Sequence, residues 1–258
     1  MNIVVLMGGL SPERDVSLTS GSLIANALIK KGHRVCLLDV YLGTHLSEKG
    51  MEECFVTTDY PAYSVGEQVP DLEAIKAQSG NGDAKIGAFV IPICKYADVV
   101  FLALHGDMGE NGQLQATLDS FGIRYTGSGY IGSLLAMDKD LAKKMLVGAS
   151  VPTPAWVLVD LAHELPTDVP AEVGYPCVVK PCSGGSSVGV SMVDNAAQLA
   201  DALQAAAKYE RYVLVEKRII GRELTVGIVD GEVFPAIEII PKEGFYDYAN
   251  KYQGGKTL

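Results

Sequence analysis

The stretch that decides the fold is "KPCSGGSSVGVSMV", residues 180–193, a glycine-rich turn that follows a lysine and leads into an apolar run. Two interpretations compete. Residues 185–189 fit the G-x-S-x-G pattern of a hydrolase nucleophile elbow. The glycines beside Lys180 also fit a loop whose backbone N–H groups surround phosphate. The two interpretations lead to different enzymes.

The nucleophile elbow fails on chain order. An elbow serine stands between a strand and a helix, and it needs an acid and then a histidine later in the chain. Here "VGVSMV" predicts a second strand, and all four histidines, at positions 33, 45, 105 and 163, precede Ser187. Triads with another chain order exist. A Walker-type G-x-x-x-x-G-K-[ST] sequence is absent as well. We therefore predict a flexible, phosphate-binding flap between two antiparallel strands.

Composition excludes several classes of partner. The formal net charge of −10 argues against a general nucleic-acid or membrane-surface binder, because both partners are polyanions. No apolar run approaches the ~18 residues that span a bilayer. The beginning of the chain lacks a signal peptide pattern, and five scattered cysteines do not suggest a disulfide framework. We expect a cytoplasmic protein.

The first half of the chain predicts an open, mostly parallel α/β sheet over residues 1–128. Residues 43–90 are polar and weakly periodic, and they indicate an insertion of unknown role with one short helix at "DLEAIKAQ". The predicted order is strand, helix, strand, insertion, strand, helix, strand, at "NIVVLMGG", "DVSLTSGSLIANALIKKG", "HRVCLLDV", "ADVVFLALHG", "NGQLQATLDSFG" and "IRYTG".

The second half predicts an α+β unit with antiparallel pairing. Residues 132–150 indicate one helical segment, and "VPTPAWVLVD" then restarts strand structure. Further strands are predicted at "YPCVVKP", "VGVSMV" and "RYVLVEKRI", with a helix at "NAAQLADALQAAAKY". The Asp230-Gly231 pair predicts a hairpin turn.

A flap over phosphates needs cations beside it, since the chain as a whole is acidic. The candidates are Lys139, Lys180, Lys217 and Lys251. For each lysine taken alone, a solvated surface charge is the alternative interpretation. Spacing along the chain does not by itself bring the four together.

Six blocks of sequence resemble D-alanine-D-alanine ligases in order and approximate spacing. These ligases are ATP-grasp enzymes of peptidoglycan precursor synthesis, and only the insertion at 43–90 is unmatched. The blocks are "GGLSPERDVSLTSG", "LHGDMGENGQLQATLDSFGIRYTGSG", "AMDKDLAKKML", "PCVVKPCSGGSSVGV", "VLVEKRIIGRELTVGI" and "EGFYDYANKY".

The resemblance implies an ATP-grasp α/β fold in three parts. Residues 1–128 would form an N-terminal Rossmann-like substrate domain, and residues 129–215 a central ATP-grasp subdomain. Residues 216–258 would begin the C-terminal ATP-grasp subdomain and include a lid loop at 243–255. Enzymes similar to this one use ATP to phosphorylate the carboxylate of a first D-alanine. The amine of a second D-alanine then attacks the acyl phosphate.

The resemblance also implies the residues that contact ATP. Lys139 and Lys180 match positions at the α- and β-phosphates, and Lys251 matches the lysine at the γ-phosphate. Ser186 and Ser187 would close over the phosphates from the flap. Three further positions match the adenine edge and the ribose hydroxyls, namely Glu216, Lys217 and Glu223. For Glu216, an exposed charge on an edge strand is the alternative.

Four residues match the amino-acid pocket of the family. Glu13 in "SPERD" would receive the ammonium of the first D-alanine, and His105 in "LHG" would lie near the same substrate. Ser186 would join Glu13 and Tyr252 in a hydrogen-bonded set that closes the pocket and has no covalent role. Two structural alternatives remain: Glu13 could be an acid that complements a helix dipole, and His105 could be a structural histidine.

The same resemblance implies residues beyond Leu258, including metal ligands for Mg2+ or Mn2+, and we find no metal ligands in residues 1–258. We therefore expect these motifs to bind ATP and D-alanine, and we expect no turnover by these 258 residues alone. The alternatives are a D-alanine-D-serine ligase, another ATP-grasp carboxylate-amine ligase, or an inactive binding fragment. The resemblance implies a homodimer, and dimers are also the commonest symmetric assembly.

Overall fold

The computed structural model describes residues 1–46, 50–66, 68–163 and 165–242. The chain divides into two compact units, Met1–Asp138 and Lys139–Leu258. Each unit has its own sheet and its own apolar core, and each is described separately below.

The sheet of the first unit consists of three parallel strands in the order β2-β1-β3. The strands are β1 Asn2–Met7, β2 Arg34–Asp39 and β3 Val99–Leu102. The central strand β1 is apolar and buried along five of its six residues, as expected for a parallel strand covered on both faces. These three strands confirm the prediction of a parallel α/β sheet.

Five helices accompany this sheet: α1 Arg14–Lys30, α2 Leu72–Ser79, α3 Val90–Tyr96, α4 Gln113–Ser120 and α5 Tyr130–Met137. Short 3-10 helices cover Met51–Cys54 and Asp107–Gly109. The predicted helix within the insertion is α2, which begins where the Asp71 carboxylate accepts the backbone N–H of Ala74 at 3.0 Å. Helix α3 was not predicted.

The core of the first unit joins the strands to α3 and α4. Its buried side chains include Val4, Leu6, Cys36, Leu38, Ile93, Val100, Leu114 and Leu118. The predicted strand at "IRYTG" is wrong as a strand. The segment makes one isolated parallel bridge, Val100 with Tyr125, and stays too short for a ladder.

The second unit contains a four-stranded antiparallel sheet in the order β4-β7-β5-β6. Its strands are β4 Trp156–Asp160, β5 Cys177–Pro181, β6 Ser191–Val193 and β7 Tyr212–Lys217. Helix α6 covers Lys139–Gly148, a 3-10 turn covers Ala196–Gln198, and helix α7 covers Leu199–Ala206. Helix α7 packs its buried Leu199 and Leu203 into the core of the unit.

The single helical segment predicted for residues 132–150 is wrong in one respect. It is two helices, α5 and α6, with Asp138 between them at φ −77° and ψ 107°. The backbone N–H of Lys139 donates to the carbonyl of Cys182 at 3.0 Å. Helix α6 therefore begins at a residue whose backbone is bonded to the segment that directly follows β5.

The predicted hairpin is present as two nested pairs of short strands. Strand β8 Glu223–Thr225 pairs with β11 Ile237–Ile239, and β9 Ile228–Val229 pairs with β10 Glu232–Val233. Asp230 and Gly231 both have positive φ, 50° and 83°, which confirms the predicted turn. Within the part of the chain that the structure describes, no helix combines the length and hydrophobicity that crossing a membrane requires.

Candidate active site

Strand register places Lys180 and Glu216 on one face of the second sheet. Val178 is opposite Glu216 across the β5-β7 ladder, and Lys180 is opposite Leu214. Since side chains alternate between faces, Lys180 and Glu216 form a diagonal cross-strand pair. Strand β7 lies between β4 and β5, so the interpretation of Glu216 as an edge-strand charge is wrong.

The Glu216 carboxylate is shared by two lysines. Lys180 donates to Oε1, and Lys143 donates to Oε2 at 2.9 Å. The side chain of Glu216 is only 13 % exposed. Burial alone would raise the pKa of Glu216, but the charges and hydrogen bonds of Lys180 and Lys143 outweigh it and hold that pKa below its usual value. Glu216 is therefore ionised at neutral pH although its side chain is largely buried.

Lys139 lies at the beginning of α6 and reaches the glycine-rich loop. Its ammonium donates to the carbonyl of Cys182 at 3.2 Å and to the carbonyl of Gly184. Desolvation lowers the pKa of Lys139, and the positive charge of Lys180 lowers it further. Two ammonium groups that repel each other in this way favour an anion between them.

The loop between β5 and β6 has the geometry of a strained turn. Ser186 and Ser187 both have positive φ, 49° and 59°, which is unusual for residues other than glycine. Ser186 is buried. The base of the loop is held by Glu210, which accepts the Ser183 backbone N–H at 2.7 Å and its hydroxyl at 2.9 Å.

A cavity of about 400 Å³ opens under this loop. Of the residues predicted to contact ATP, those that line it are Lys139, Lys180, Ser186, Ser187 and Glu223. Glu216 and Lys217 do not line it, although Glu216 is bonded to Lys180. Lys217 is exposed at the end of β7. Lys251, Tyr252 and the predicted lid at 243–255 lie outside the described residues.

Glu13 and His105 come together in the first unit, beyond the carboxyl ends of β1 and β3. Glu13 is buried at the N-terminus of α1, and a Cβ at Gly106 would stand 2.6 Å from its Oε2. Gly106 has φ 70°, so this close approach beside His105 requires glycine. The His105 ring contacts the Ser20 hydroxyl at 3.2 Å. Glu13 thus lies at the N-terminus of α1 and close to the segment that contains His105.

Two polar residues beside Glu13 and His105 were missed by sequence reasoning. Ser11 donates its hydroxyl to the His105 carbonyl at 2.7 Å and accepts the Glu13 N–H at 3.2 Å. Glu110 accepts the Gly106 N–H at 3.0 Å. Glu110 as a whole is exposed, but its carboxyl group is partly desolvated. This desolvation, together with the negative charge of the nearby Glu13, raises the pKa of the Glu110 carboxyl. Their positions just after predicted strands were the available indication.

Together, the antiparallel sheet, the glycine-rich flap and the lysine-lined cavity define an ATP-grasp protein. Comparisons with known proteins refine this class. The family model for the N-terminus of D-alanine-D-alanine ligases matches residues 2–128, and the model for the C-terminus matches residues 148–258. The chain belongs to the D-alanine-D-alanine ligase family.

Curated relatives and solved structures agree with this family. The ligase of Pediococcus pentosaceus is 41 % identical over 265 residues, which cover 100 % of this chain and 74 % of the relative. The ligase of Lacticaseibacillus casei is 38 % identical, with 100 % and 72 % covered. The crystal structure of the Bacillus anthracis ligase complexed with ATP has a TM-score of 0.68 at 28 % identity, covering 100 % of this chain and 69 % of that one.

Proposed function

We propose that this chain binds ATP in the cavity under the β5-β6 loop and serves the ATP-dependent joining of two D-alanine molecules. The observation that carries the proposal is the cavity itself, in which Lys139 and Lys180 stand beside the glycine-rich loop in an otherwise acidic chain. Family membership supports the reaction, and the named relatives are D-alanine-D-alanine ligases.

The reaction begins with attack by a carboxylate oxygen of the first D-alanine on the γ-phosphorus of ATP, and ADP leaves. The amine of the second D-alanine then attacks the carbonyl carbon of the acyl phosphate. Inorganic phosphate leaves with the former carboxylate oxygen, and the amine loses a proton as the peptide bond forms. Lys139 and Lys180 would stabilise the negative charge of the phosphates throughout. Glu223 and the flap residues Ser186 and Ser187 would hold the nucleotide against them.

Glu13 would accept hydrogen bonds from the ammonium of the first D-alanine, with His105 beside the same substrate. The burial of Glu13 and its proximity to His105 in the first unit support this assignment. A bound amino acid there would be recognised by charge and by hydrogen bonds in a site that excludes water. The contact of Glu13 with Ser186 and Tyr252 in one set is part of the proposal, as are the roles of Lys217 at adenine and Lys251 at the γ-phosphate.

A divalent cation accompanies ATP in reactions of this class. Among residues 1–46, 50–66, 68–163 and 165–242, no group of three His, Cys, Asp or Glu side chains is placed to hold a metal ion. The described residues therefore do not by themselves fit a Mg2+ or Mn2+ site.

Four further parts of the proposal rest on the family and on the sequence. They are a homodimeric assembly, a cytoplasmic location, a division of the second half at residues 215 and 216, and D-alanine in preference to D-serine as the second substrate. The names of the relatives support D-alanine.

The test combines ATP binding with phosphate release. Isothermal titration calorimetry should show saturable ATP binding by the wild-type chain. In Lys180→Ala the Kd should rise about tenfold, the worth of one charge-assisted hydrogen bond to phosphate. The melting temperature of the unliganded variant should change little, because Glu216 keeps Lys143 as a partner. Lys208→Ala removes an exposed lysine of the same unit and is the matched control.

Phosphate release from MgATP is then followed with and without D-alanine. Release that depends on D-alanine is the expected result, because the chain belongs to a family of D-alanine-D-alanine ligases. ATP binding without such release would contradict the proposed reaction. A wild-type chain that fails to bind ATP, or a Lys180→Ala variant with unchanged Kd, would contradict the proposed site.

A further inference from the structure

Lys143 is a buried lysine of α6 to which no role was assigned from the sequence. Its side chain is only 8 % exposed. The ammonium donates to Glu216 Oε2 at 2.9 Å and to Thr153 Oγ1 at 2.8 Å, and it lies 5.1 Å from the centre of the Trp156 ring. A buried ammonium is costly unless its donors are satisfied, and here an anion, a hydroxyl and an aromatic face all contact it.

The position of Lys143 is fixed from two elements. The Trp156 indole N–H on β4 donates to Asp140 Oδ1 at 2.9 Å, and Asp140 Oδ2 accepts from Lys144 at 2.6 Å on the same helix. Helix α6 and strand β4 are therefore joined around the Lys143 side chain. Such a side chain has little freedom to move when a ligand binds nearby.

Lys180, the second partner of Glu216, stands in a different place. Lys180 lines the cavity, whereas Lys143 does not. Two ammonium groups face one carboxylate, so the three side chains together carry a formal charge of +1. Glu216 can therefore lose one of its two partners and remain paired.

We propose that Lys143 is a positioning residue that acts as the fixed counter-ion of Glu216 and so releases Lys180 to the nucleotide phosphates. This inference rests on the proposed ATP site. If Lys143 carried no charge, Lys180 would be the sole cation of a buried carboxylate. A phosphate group would then compete with Glu216 for it, because breaking a buried ion pair leaves an uncompensated charge.

This role predicts a selective loss of affinity. ADP needs Lys180 to turn towards phosphate, whereas adenosine leaves the pair of Lys180 and Glu216 intact. Removing the Lys143 charge should weaken ADP binding and spare adenosine binding. A merely structural lysine would affect both ligands in the same proportion.

The experiment is calorimetric titration of the 258-residue chain with ADP and with adenosine. In Lys143→Gln, which keeps a hydrogen-bond donor for Glu216, the Kd for ADP should rise about tenfold, the worth of one charge-assisted contact. The Kd for adenosine should change less than about threefold, the scale of a neutral hydrogen bond. Lys208→Gln loses the same charge from an exposed position of the same unit, outside this network, and it should bind both ligands like the wild type.

Glu216→Gln tests whether the effect of Lys143 acts through Glu216, since this variant removes the negative charge that pairs with Lys180. In that background, Lys143→Gln should leave the preference for ADP over adenosine unchanged. The comparison of Glu216→Gln with the double variant remains possible even if Lys143→Gln alone does not fold. If the double variant prefers ADP over adenosine less strongly than Glu216→Gln does, the inference is overturned. Equal losses for both ligands, or none, in the folded single variant would overturn it too. A wild-type chain that binds no ADP would instead overturn the ATP site on which the inference rests.

Discussion

At the scale of single residues, Glu216 is a carboxylate of the second unit that pairs with two lysines at once. Its carboxylate is largely buried and yet ionised, because Lys180 and Lys143 each take one of its oxygens. A carboxyl whose pKa is lower in the folded than in the unfolded chain stabilises the fold above its unfolded pKa. That contribution is lost as the pH falls through the lower, folded pKa.

Glu216→Gln should therefore destabilise the chain in a pH-dependent way. At pH 7 we expect a loss of about 3 kcal/mol, because two lysines lose their buried partner. Below the unfolded pKa of about 4.3 the difference from the wild type should shrink, because the unfolded wild-type chain then takes up a proton at Glu216 that the folded chain does not. Urea unfolding between about pH 7 and pH 3.5 measures both free energies.

The control for this prediction is Glu172→Gln, which neutralises an exposed carboxylate of the same unit. It should change the free energy of unfolding little and without a pH trend. A Glu216→Gln variant whose destabilisation stays constant down to pH 3.5 would show that Glu216 keeps its usual pKa and that the lysines do not stabilise its charge.

The family resemblance predicted nucleotide contacts for Glu216, Lys180 and Lys139, but it did not predict the ion pair between the first two. The pair depends on the register between β5 and β7, which sets Lys180 diagonally to Glu216 across 36 residues of chain. Lys143 was missed for a similar reason. Nothing local distinguishes it from the exposed Lys144, since only tertiary packing buries one and leaves the other in water.

At the scale of elements, local sequence patterns predicted the β5-β6 loop but not the break between α5 and α6. Alternating apolar residues and three glycines were enough to predict two strands and a flap. The break between α5 and α6 was not predictable in this way. Helical periodicity continues through Asp138, and the bond from Lys139 N–H to Cys182, 43 residues away, overrides it.

Gly189 should be the least replaceable glycine of the flap. It has φ 71°, and an added Cβ would stand 2.7 Å from Tyr209 Cδ2 and 2.9 Å from Pro181 Cγ. Gly189→Ala should lower the free energy of unfolding in urea by about 2 kcal/mol, through backbone strain and overlap. Gly184→Ala is the control, because its φ is not positive and its nearest neighbour would be 3.4 Å away. Equal stability of the two variants would mean that the loop relaxes freely around Gly189.

At the scale of the whole molecule, the sequence predicted a parallel α/β half followed by an antiparallel α+β half, and both are present. Each half was recognisable because its hydrophobic runs alternate with turn residues in a fixed order. Two features of the first unit were not predicted from the sequence. They are helix α3 at the end of the insertion and the single bridge that stands in place of the expected strand at "IRYTG". Both depend on how a short segment meets the β1-β3 sheet, which no local pattern reports.

Two units imply two separable ligand responses, which hydrogen-deuterium exchange can resolve. ADP should slow exchange in peptides covering residues 177–193 and 212–217, because the cavity and its lysines belong to the second unit. D-alanine should slow exchange around residues 9–20 and 103–112, where Glu13 and His105 meet. Ligands protect the amides whose opening they oppose. Lys180→Ala, given the same ADP concentration, should lose the first effect and keep the second. Protection by ADP confined to the β1-β3 sheet would place the nucleotide in the wrong unit and contradict the assignment of both sites.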